Sequence, residues 1–388
     1  MSCEPEIIKL ETARTEKITH LDLPAGIPPL ASLYMYIAGS CNLACRHCWI
    51  EPDYNPDPAS GKFLKVEYAQ KAIIESIPLG LRSVKLTGGE PLLHPRIREL
   101  LEWINDKELD IYIETNGTLI DSEMARLLQS KKHMRFISVS LDGATATTHE
   151  ALRAVAGSFE KALQGIKNLV TAGFKPQIIC TLHQGNISEI EALVALAEEM
   201  SCGSVKFNVV QAMGRGDDFS DSQKLDIDEI IHYFNKIEKG KTEHCSIPIY
   251  FDIPPAFRPI RYFLNSPNTH CNVMNIIGIL AGGEISLCGI GVSVPELIYG
   301  HIASQDMKSI WLEAPGLKKL REAIPDHFQG VCSECIHHWN CLGSCIAQNY
   351  HTSKTINASY NFCSEAKNRK LFPENRLKGG IHAKKTSL

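Results

Sequence analysis

The chain has little that would tie it to a membrane or to nucleic acid. Its apolar runs are all short, and its opening stretch, "MSCEPEIIKLETARTEK", is polar and carries acids. A secretory signal needs a basic start followed by an apolar run, and a membrane helix needs about 20 apolar residues. Neither is expected, so the default compartment is the cytoplasm. An excess of positive charge is also missing. Lys and Arg number 40 against 44 Asp and Glu, scattered along the chain for a formal net charge of -4. Without a basic field no nucleic-acid partner is expected. What remains is a chain of 388 residues, 44% hydrophobic and 22% charged, long enough to bury a full core in two or three domains.

Cysteine is plentiful, at 14 residues. A compartment that keeps thiols reduced argues against disulfides, and the clustering argues for metal binding. "GSCNLACRHCWI" (Gly39–Ile50) places Cys41, Cys45 and Cys48 within eight residues, and Cys332, Cys335, Cys341 and Cys345 cluster near the end. Cys271, Cys288 and Cys363 lie between and after them. Three close cysteines with His47 suit a structural zinc ion. Three cysteines also suit a four-iron cluster with one iron left open for a substrate or cofactor. The spacing alone leaves both readings standing.

Six strand-like runs follow, each leading into a helix-like run: Ser32–Ile37, Ser83–Thr87, Ile111–Thr115, Phe136–Leu141, Gln177–Leu182 and Ser204–Val210. They are short and rich in β-branched and aromatic residues, as buried parallel strands are. Between the last two, Ser188 and Glu191 form a capping-box pattern, and Ile190, Leu193, Val194 and Ala197 mark one helix face. Alternating strand and helix implies an α/β fold with a parallel sheet. Six units predict a partial (β/α)6, TIM-like barrel with its chemistry at the C-terminal ends of the strands.

Those ends carry polar, turn-forming residues. Strand two ends in "TGGEP" (Gly88, Gly89, Glu90), strand three in "ETNG" (Glu114, Thr115, Asn116) and strand four in "SVSLDG" (Ser140, Asp142). Arg153 follows Ser140 by thirteen residues. Each alone is an ordinary turn or a solvated arginine. Their recurrence at successive strand ends behind a three-cysteine loop points to a site.

With these residues in place, the sequence resembles the radical S-adenosylmethionine (SAM) superfamily, whose CxxxCxxC loop after the first strand is matched by Cys41, Cys45 and Cys48. The resemblance implies a [4Fe–4S] cluster on these cysteines, with SAM chelating the fourth iron. Reductive cleavage of SAM then yields a 5′-deoxyadenosyl radical that takes hydrogen from a substrate. It further implies that Gly88, Gly89 and Glu90 meet the methionine ammonium. Ser140 and Arg153 would meet ribose and carboxylate, with Asn116 near the ribose. Trp49 would stand where the family has an aromatic beside adenine, usually Tyr or Phe. Backbone at Val209 would line the adenine. A low-potential electron donor such as flavodoxin or ferredoxin is the implied partner.

The second half shows Cys271, Gly283 after eleven residues and Cys288 after four more, followed by Cys332, Cys335, Cys341, Cys345 and Cys363. "LAGGEISLC" reads as a hairpin with Gly282 and Gly283 at the turn, bringing Cys271 and Cys288 toward one metal centre. Paired zinc knuckles are the plainer alternative. The pattern resembles the seven-cysteine SPASM extension of radical SAM enzymes. That likeness implies one auxiliary [4Fe–4S] cluster on Cys332, Cys335, Cys341 and Cys363 and another on Cys271, Cys288 and Cys345, making three clusters in all. The last set is one ligand short, because "CNVMNIIGIL" has no eighth cysteine. An open or exchangeable iron is the expectation there, with Cys245 as the rival ligand. Cys180 and Cys202 read as buried thiols, and Cys3 is unassigned.

The resemblance covers about residues 32 to 365. The expected domains are an extended arm (1–31), the partial barrel (32–215) and a bridging segment (216–270). A small, loop-rich, cysteine-ligated domain with a β-hairpin (271–370) and a flexible basic tail (371–388) complete them. "MGRGDDFSDSQKL" reads as the hinge out of the barrel, before a helix around Asp226–Lys239. Enzymes with this extension mostly modify ribosomally made peptides or proteins, forming thioethers, cross-links or formylglycine. A peptide maturase is therefore the leading expectation, and modification of a small molecule such as a tetrapyrrole side chain is the alternative. Barely thirty residues precede the first strand, so a leader-binding domain is not expected and a separate leader-binding protein takes its place. A non-catalytic electron carrier would explain the cysteines but not Gly88–Glu90, Ser140 and Arg153. Glu114, Asp142, His94 and Tyr36 are the acids and bases near the barrel mouth, each read first as a structural polar residue.

Overall fold

The structure is a computed structural model and describes residues 21–55, 57–240, 246–260, 262–263 and 271–379. Cys3 and Cys245 lie outside the described residues.

The six expected strands are present as β1 (Ser32–Ala38), β2 (Ser83–Gly88), β3 (Asp110–Thr115), β4 (Met134–Ser140), β5 (Gln177–Leu182) and β6 (Ser204–Val209). They pair in parallel in sequence order. Register aligns Leu33 with Val84, Val84 with Ile111, and Ile178 with Val205, all fully buried. Helices cover this apolar face. One is α1 (Val66–Ser76). The next, α2 (Ile97–Asp106), buries Ile97, Leu100, Leu101 and Ile104, a single stripe at i, i+3, i+4, i+7. The helical layer continues with α3 (Ser122–Gln129), α4 (Ala146–Arg153), α5 (Ser158–Thr171) and α6 (Ile190–Glu199).

The strands are not apolar on both faces. Successive side chains alternate, so Tyr34, Tyr36, Lys85, Thr87, Glu114, Lys206 and Asn208 face a chamber inside the curve of the sheet.

Four sequence expectations are corrected. Ser188 and Glu191 do not form a capping box. The chain enters α6 through a 3-10 turn (Ile187–Glu189), with no side-chain cap on either, and Glu191 pairs with Lys236 at 2.8 Å. The buried face of α6, Ile190, Leu193, Val194 and Ala197, is as expected.

The polar stretch after β6 is not a loose hinge. It contains α7 (Gly216–Gln223) and runs into α8 (Ile227–Gly240). The hairpin, for its part, is not confined to a separate domain. Strand β8 (Ile276–Ile279) pairs in parallel with β1, and β9 (Glu284–Ser286) and β10 (Ile298–His301) follow antiparallel. At the other edge β7 (Ile249–Phe251) pairs with β6. One ten-stranded sheet results, ordered β10-β9-β8-β1-β2-β3-β4-β5-β6-β7.

Lastly, residues 371–379 are not a flexible tail. Phe372 and Arg376 are buried, Arg376 Nη2 donates to the Arg258 carbonyl at 3.0 Å, and the Ile336 N–H donates to the Arg376 carbonyl at 2.9 Å. Phe372 joins Val331, Cys335, Cys363 and Ala366 in a small core of their own.

The described part of the arm, residues 21–31, is stitched on both sides. Leu30 N–H donates to the Leu79 carbonyl at 2.9 Å, and Trp311 Nε1 donates to the Pro28 carbonyl at 2.9 Å. Asn275 donates its Nδ2 to the Pro29 carbonyl at 2.8 Å, and its carbonyl accepts from Ala31 at 2.8 Å.

Continuity of the sheet through β8 makes Ile277, which is fully buried opposite Leu33, a shared core residue. Ile277→Ala should cost about 2–5 kcal/mol in urea unfolding. A loss comparable to that of an exposed substitution would show that the barrel does not depend on β8.

Candidate functional site

At the C-terminal ends of the strands lies a chamber of about 400 Å³. Cys41, Cys45 and Cys48 line it from the loop after β1. That loop is held from three sides. Asn55 N–H donates to the Cys41 carbonyl at 2.8 Å, and Arg46 N–H donates to the Leu152 carbonyl at the end of α4 at 2.9 Å. The third support is Arg215, which the sequence reading missed. Its Nε donates to the Cys45 carbonyl at 2.9 Å and its Nη1 to the Pro52 carbonyl at 3.1 Å, while its N–H reaches the Cys48 carbonyl at 3.0 Å. Gly214 beside it has φ +58, and a Cβ there would sit 2.7 Å from the Trp49 carbonyl oxygen. The glycines of "MGRG" were thus a signal of close approach, not of flexibility.

The sulfurs are met by hydrogen-bond donors. Leu43 N–H points at Cys41 Sγ (3.4 Å), and Arg153 Nη1 at Cys45 Sγ (3.5 Å). Asn116 Nδ2 lies 3.9 Å from Cys41 Sγ. Burial pushes the Cys41 and Cys48 thiols up. Donors aimed at thiols that burial keeps protonated gain their purpose when a metal makes those sulfurs thiolates. Among the described residues no three Cys, His, Asp or Glu side chains converge on a point where one metal ion would fit. Three thiols spread around a shared space fit a multi-iron cluster. Burial lowers His47 to about 4, and its Nδ1 is buried without a hydrogen-bond partner among the described residues, so it lines the chamber as a neutral ring.

Gly88, Gly89, Asn116, Ser140, Arg153, Trp49 and Val209 all line the same chamber. Gly89 packs so tightly on the cysteine loop that a Cβ would lie 2.1 Å from the Ser40 carbonyl oxygen. Glu90 is different: it is fully buried and does not line the chamber. Its Oε1 accepts from Thr115 Oγ1 (2.7 Å) and Leu92 N–H (3.0 Å), and its Oε2 from Asn116 N–H (2.8 Å). The carboxylate thereby holds the Thr115–Asn116 turn, with acceptor capacity left over. Asn116 is tied in turn to Asn42 Oδ1 (2.8 Å) and accepts from Thr118 N–H (3.0 Å).

Of the acids and bases expected near the mouth, Glu114 and Tyr36 line the chamber, and Asp142 and His94 do not. Asp142 is fully buried and pairs with Arg153 Nε at 2.5 Å. Burial alone would raise its carboxyl, but the Arg153 charge, together with the Thr181 N–H and other neighbours, leaves it below the usual range. His94 is buried against the Leu64 carbonyl at 2.8 Å. Burial would likewise raise Glu114, and Lys85, in contact at 2.5 Å, holds it low instead. Tyr36 stacks edge-on to Trp49 at 6.3 Å and is pushed well up by burial, so it stays a phenol.

The far wall of the chamber carries Cys271, Cys288 and Cys345. Cys341, four residues before Cys345, turns instead into a separate small cavity with Cys332, Cys335 and Cys363. The two C-terminal sets thus line different cavities. Their sulfurs also receive backbone N–H groups: Gln348 on Cys345 (3.5 Å), Tyr360 on Cys332 (3.4 Å) and His337 on Cys335 (3.4 Å). Cys180 and Cys202 are buried in the barrel core, as expected.

Two substitutions separate the supports of this site. Gly89→Ala must push the Ser40 backbone away, and should strip iron from Cys41–Cys48 while leaving the iron of the C-terminal cysteines in place, read by metal content and electron paramagnetic resonance (EPR). Asp142→Ala leaves a buried Arg153 unpaired and should cost about 3–5 kcal/mol in urea unfolding. A loss under about 1 kcal/mol would mean water reaches the pair freely.

Comparison with known proteins agrees with this geometry. The family described as Radical SAM superfamily matches residues 35–197. An AdoMet-dependent heme synthase of Methanosarcina barkeri is 31% identical over 324 residues, covering 81% of this chain and 90% of the relative. The mycofactocin maturase MftC of Mycobacterium ulcerans is 26% identical over 318 residues, 81% of this chain and 82% of the relative. Streptococcus suis SuiB, solved bound to its precursor peptide SuiA, superposes with a TM-score of 0.68 at 17% identity, over 93% of this chain and 82% of SuiB. That last likeness is one of fold. The chain belongs to the radical SAM superfamily, in its group with a C-terminal SPASM extension.

Proposed function

We propose that this enzyme oxidises an anionic side chain of its substrate, one that reaches into the chamber between the two cysteine sets. The observation that carries the reading is that Cys41, Cys45 and Cys48 share a single chamber with Cys271, Cys288 and Cys345, and that Lys206 stands in its wall. When bound, SAM and a cluster on Cys41, Cys45 and Cys48 supply the 5′-deoxyadenosyl radical that removes hydrogen. The chain's own residues do the rest. Arg153 and Ser140 orient SAM, with Trp49 and Val209 walling the adenine. Tyr34, Tyr36 and Trp49 keep water from the radical. Lys206, with no ion-pair partner among the described residues, offers a cation to a substrate carboxylate. Much of the chamber is needed for SAM, so a side chain enters and the body of the substrate stays at the mouth.

A tetrapyrrole carrying carboxylate side chains is the substrate class favoured. Sequence alone put a peptide first. The heme synthase relative reverses that order, because it is more alike than the maturase and spans most of both chains. A carboxylate-bearing peptide remains the second reading, supported by the maturase relative and by the fold shared with peptide-bound SuiB. In that case a separate leader-binding protein is a further proposal. In both, a flavodoxin- or ferredoxin-like donor supplies the electron, and the remaining cysteines hold two auxiliary clusters. Titrating the reduced protein anaerobically with an iron porphyrin bearing propionates, and with carboxylate-containing peptides, separates the two. A shifted porphyrin absorption band and substrate-stimulated release of 5′-deoxyadenosine are expected with the porphyrin. Stimulation by peptides alone would reverse the assignment.

Three clusters predict about twelve irons per chain in anaerobically purified protein. About three zinc ions in their place would overturn the whole reading. Replacing Cys41, Cys45 and Cys48 by Ala should abolish SAM cleavage, whereas replacing Cys332 and Cys335 should leave 5′-deoxyadenosine release intact but lower folding yield or product. Lys206→Ala should raise KM about 10–100-fold with little change in kcat, the scale of a charged hydrogen bond. An unchanged KM would remove Lys206 from substrate recognition.

A further inference from the structure

The set Cys271, Cys288 and Cys345 supplies three thiols where a four-iron cluster has four corners. We propose that the Asp252 carboxylate is the fourth ligand of the group held by Cys271, Cys288 and Cys345, an inference that rests on the reading of those three cysteines given above.

The placement begins with the backbone. Asp252 directly follows β7, and its N–H donates to the Phe207 carbonyl of β6 at 2.8 Å. Phe251 and Ile253 on either side are both buried in the barrel core at 1% exposure. The Ile253 N–H turns back to the Phe251 carbonyl at 3.0 Å, which puts Asp252 at the centre of a tight turn, and Asp252 lines the chamber alongside Cys271, Cys288 and Cys345. The natural counter-ion nearby, Arg258, is already engaged. Its Nε donates to the Ile253 carbonyl at 3.2 Å and its Nη2 to the Phe251 carbonyl at 2.5 Å, so it clamps the backbone on both sides and leaves the carboxylate alone. Arg258 is itself fixed by Arg376. Asp252 thus sits on a braced turn, with no hydrogen bond or ion pair to its carboxylate among the described residues.

The free ring nitrogen of His47 belongs to the loop of the first cysteine set, and the wall's other acidic groups are engaged or protonated. Glu114 is bound to Lys85 at 2.5 Å, and Tyr34, with the same lysine 4.6 Å from its ring, is raised by burial and stays protonated. A carboxylate is a hard oxygen donor that iron accepts beside thiolates. Asp252 therefore replaces the open corner that the cysteine count suggested.

EPR and Mössbauer spectra of the anaerobic full-length protein test this, with total iron measured alongside. In the wild type the spectrum of this group should be indifferent to 2-mercaptoethanol. Asp252→Ala should lose one iron on oxidation, from about twelve to about eleven per chain, show a [3Fe–4S] signal and become responsive to the thiol. Asp252→Cys should restore four irons with a shifted signal, which guards against a variant that merely misfolds. Unchanged spectra in Asp252→Ala, a wild-type site that binds thiol, or loss of the group in Cys245→Ala would each overturn the proposal. Cys288→Ala tells the two failures apart. A fall to about eight irons upholds the three-cysteine reading even where Asp252 fails. Retention of about twelve sinks that reading itself.

Discussion

The buried pair of Arg153 and Asp142 is the constraint around which the site is assembled. Asp142 sits at the end of β4, accepts the Thr181 N–H from β5 and, through its carbonyl, Asn186 Nδ2 from the loop before α6. Arg153 ends α4, points Nη1 at Cys45 Sγ, and through its carbonyl accepts Ala44 N–H from the cysteine loop. A charge taken out of water is tolerated only where its partner and its hydrogen bonds are complete. Two strands, one helix and the loop carrying Cys41, Cys45 and Cys48 must therefore be in place together. Glu90, two strands earlier, repeats the device, placing a buried carboxylate on the turn that carries Thr115 and Asn116.

The same economy explains how one sheet is both core and chamber wall. Period-two alternation sends Leu33, Val84, Ile111 and Ile178 toward the helices and Tyr34, Lys85, Glu114 and Lys206 toward the chamber. Charged groups on the inner face are affordable because each faces a partner or open space: Lys85 meets Glu114 and the ring of Tyr34.

The C-terminal cysteines reach the chamber because their domain shares the barrel's sheet. Pairing of β8 with β1 continues the ladder past the first strand, and the turn at Gly283, with φ +103, returns the chain through β9 to Cys288. Gly278 accepts the close approach of Cys288, since a Cβ there would lie 2.8 Å from its backbone. The second set, Cys332, Cys335, Cys341 and Cys363, lines a separate small cavity.

Local features were legible in the sequence to the extent that their cause is local. Strand periodicity, the buried stripe of α6, the glycine hairpin and the cysteine spacing each arise within a few residues, and each matches the structure to within two residues at its ends. The six-strand order follows from the same pattern, because consecutive parallel units have few other ways to pair. Readings that needed a partner far along the chain went astray. Ser188 and Glu191 carry a capping pattern, yet Glu191 is claimed by Lys236, and "MGRG" looks flexible until Cys45 and Cys48 stand against it. The amino-acid order by itself determined which residues carry the chemistry and on which strand ends they lie. Tertiary structure alone decided that β8 joins β1 and that Arg215 clamps the cysteine loop. Those are contacts across 170 residues or more of chain, between Arg215 and Cys45 for one, and no periodicity along a sequence encodes a distance in space.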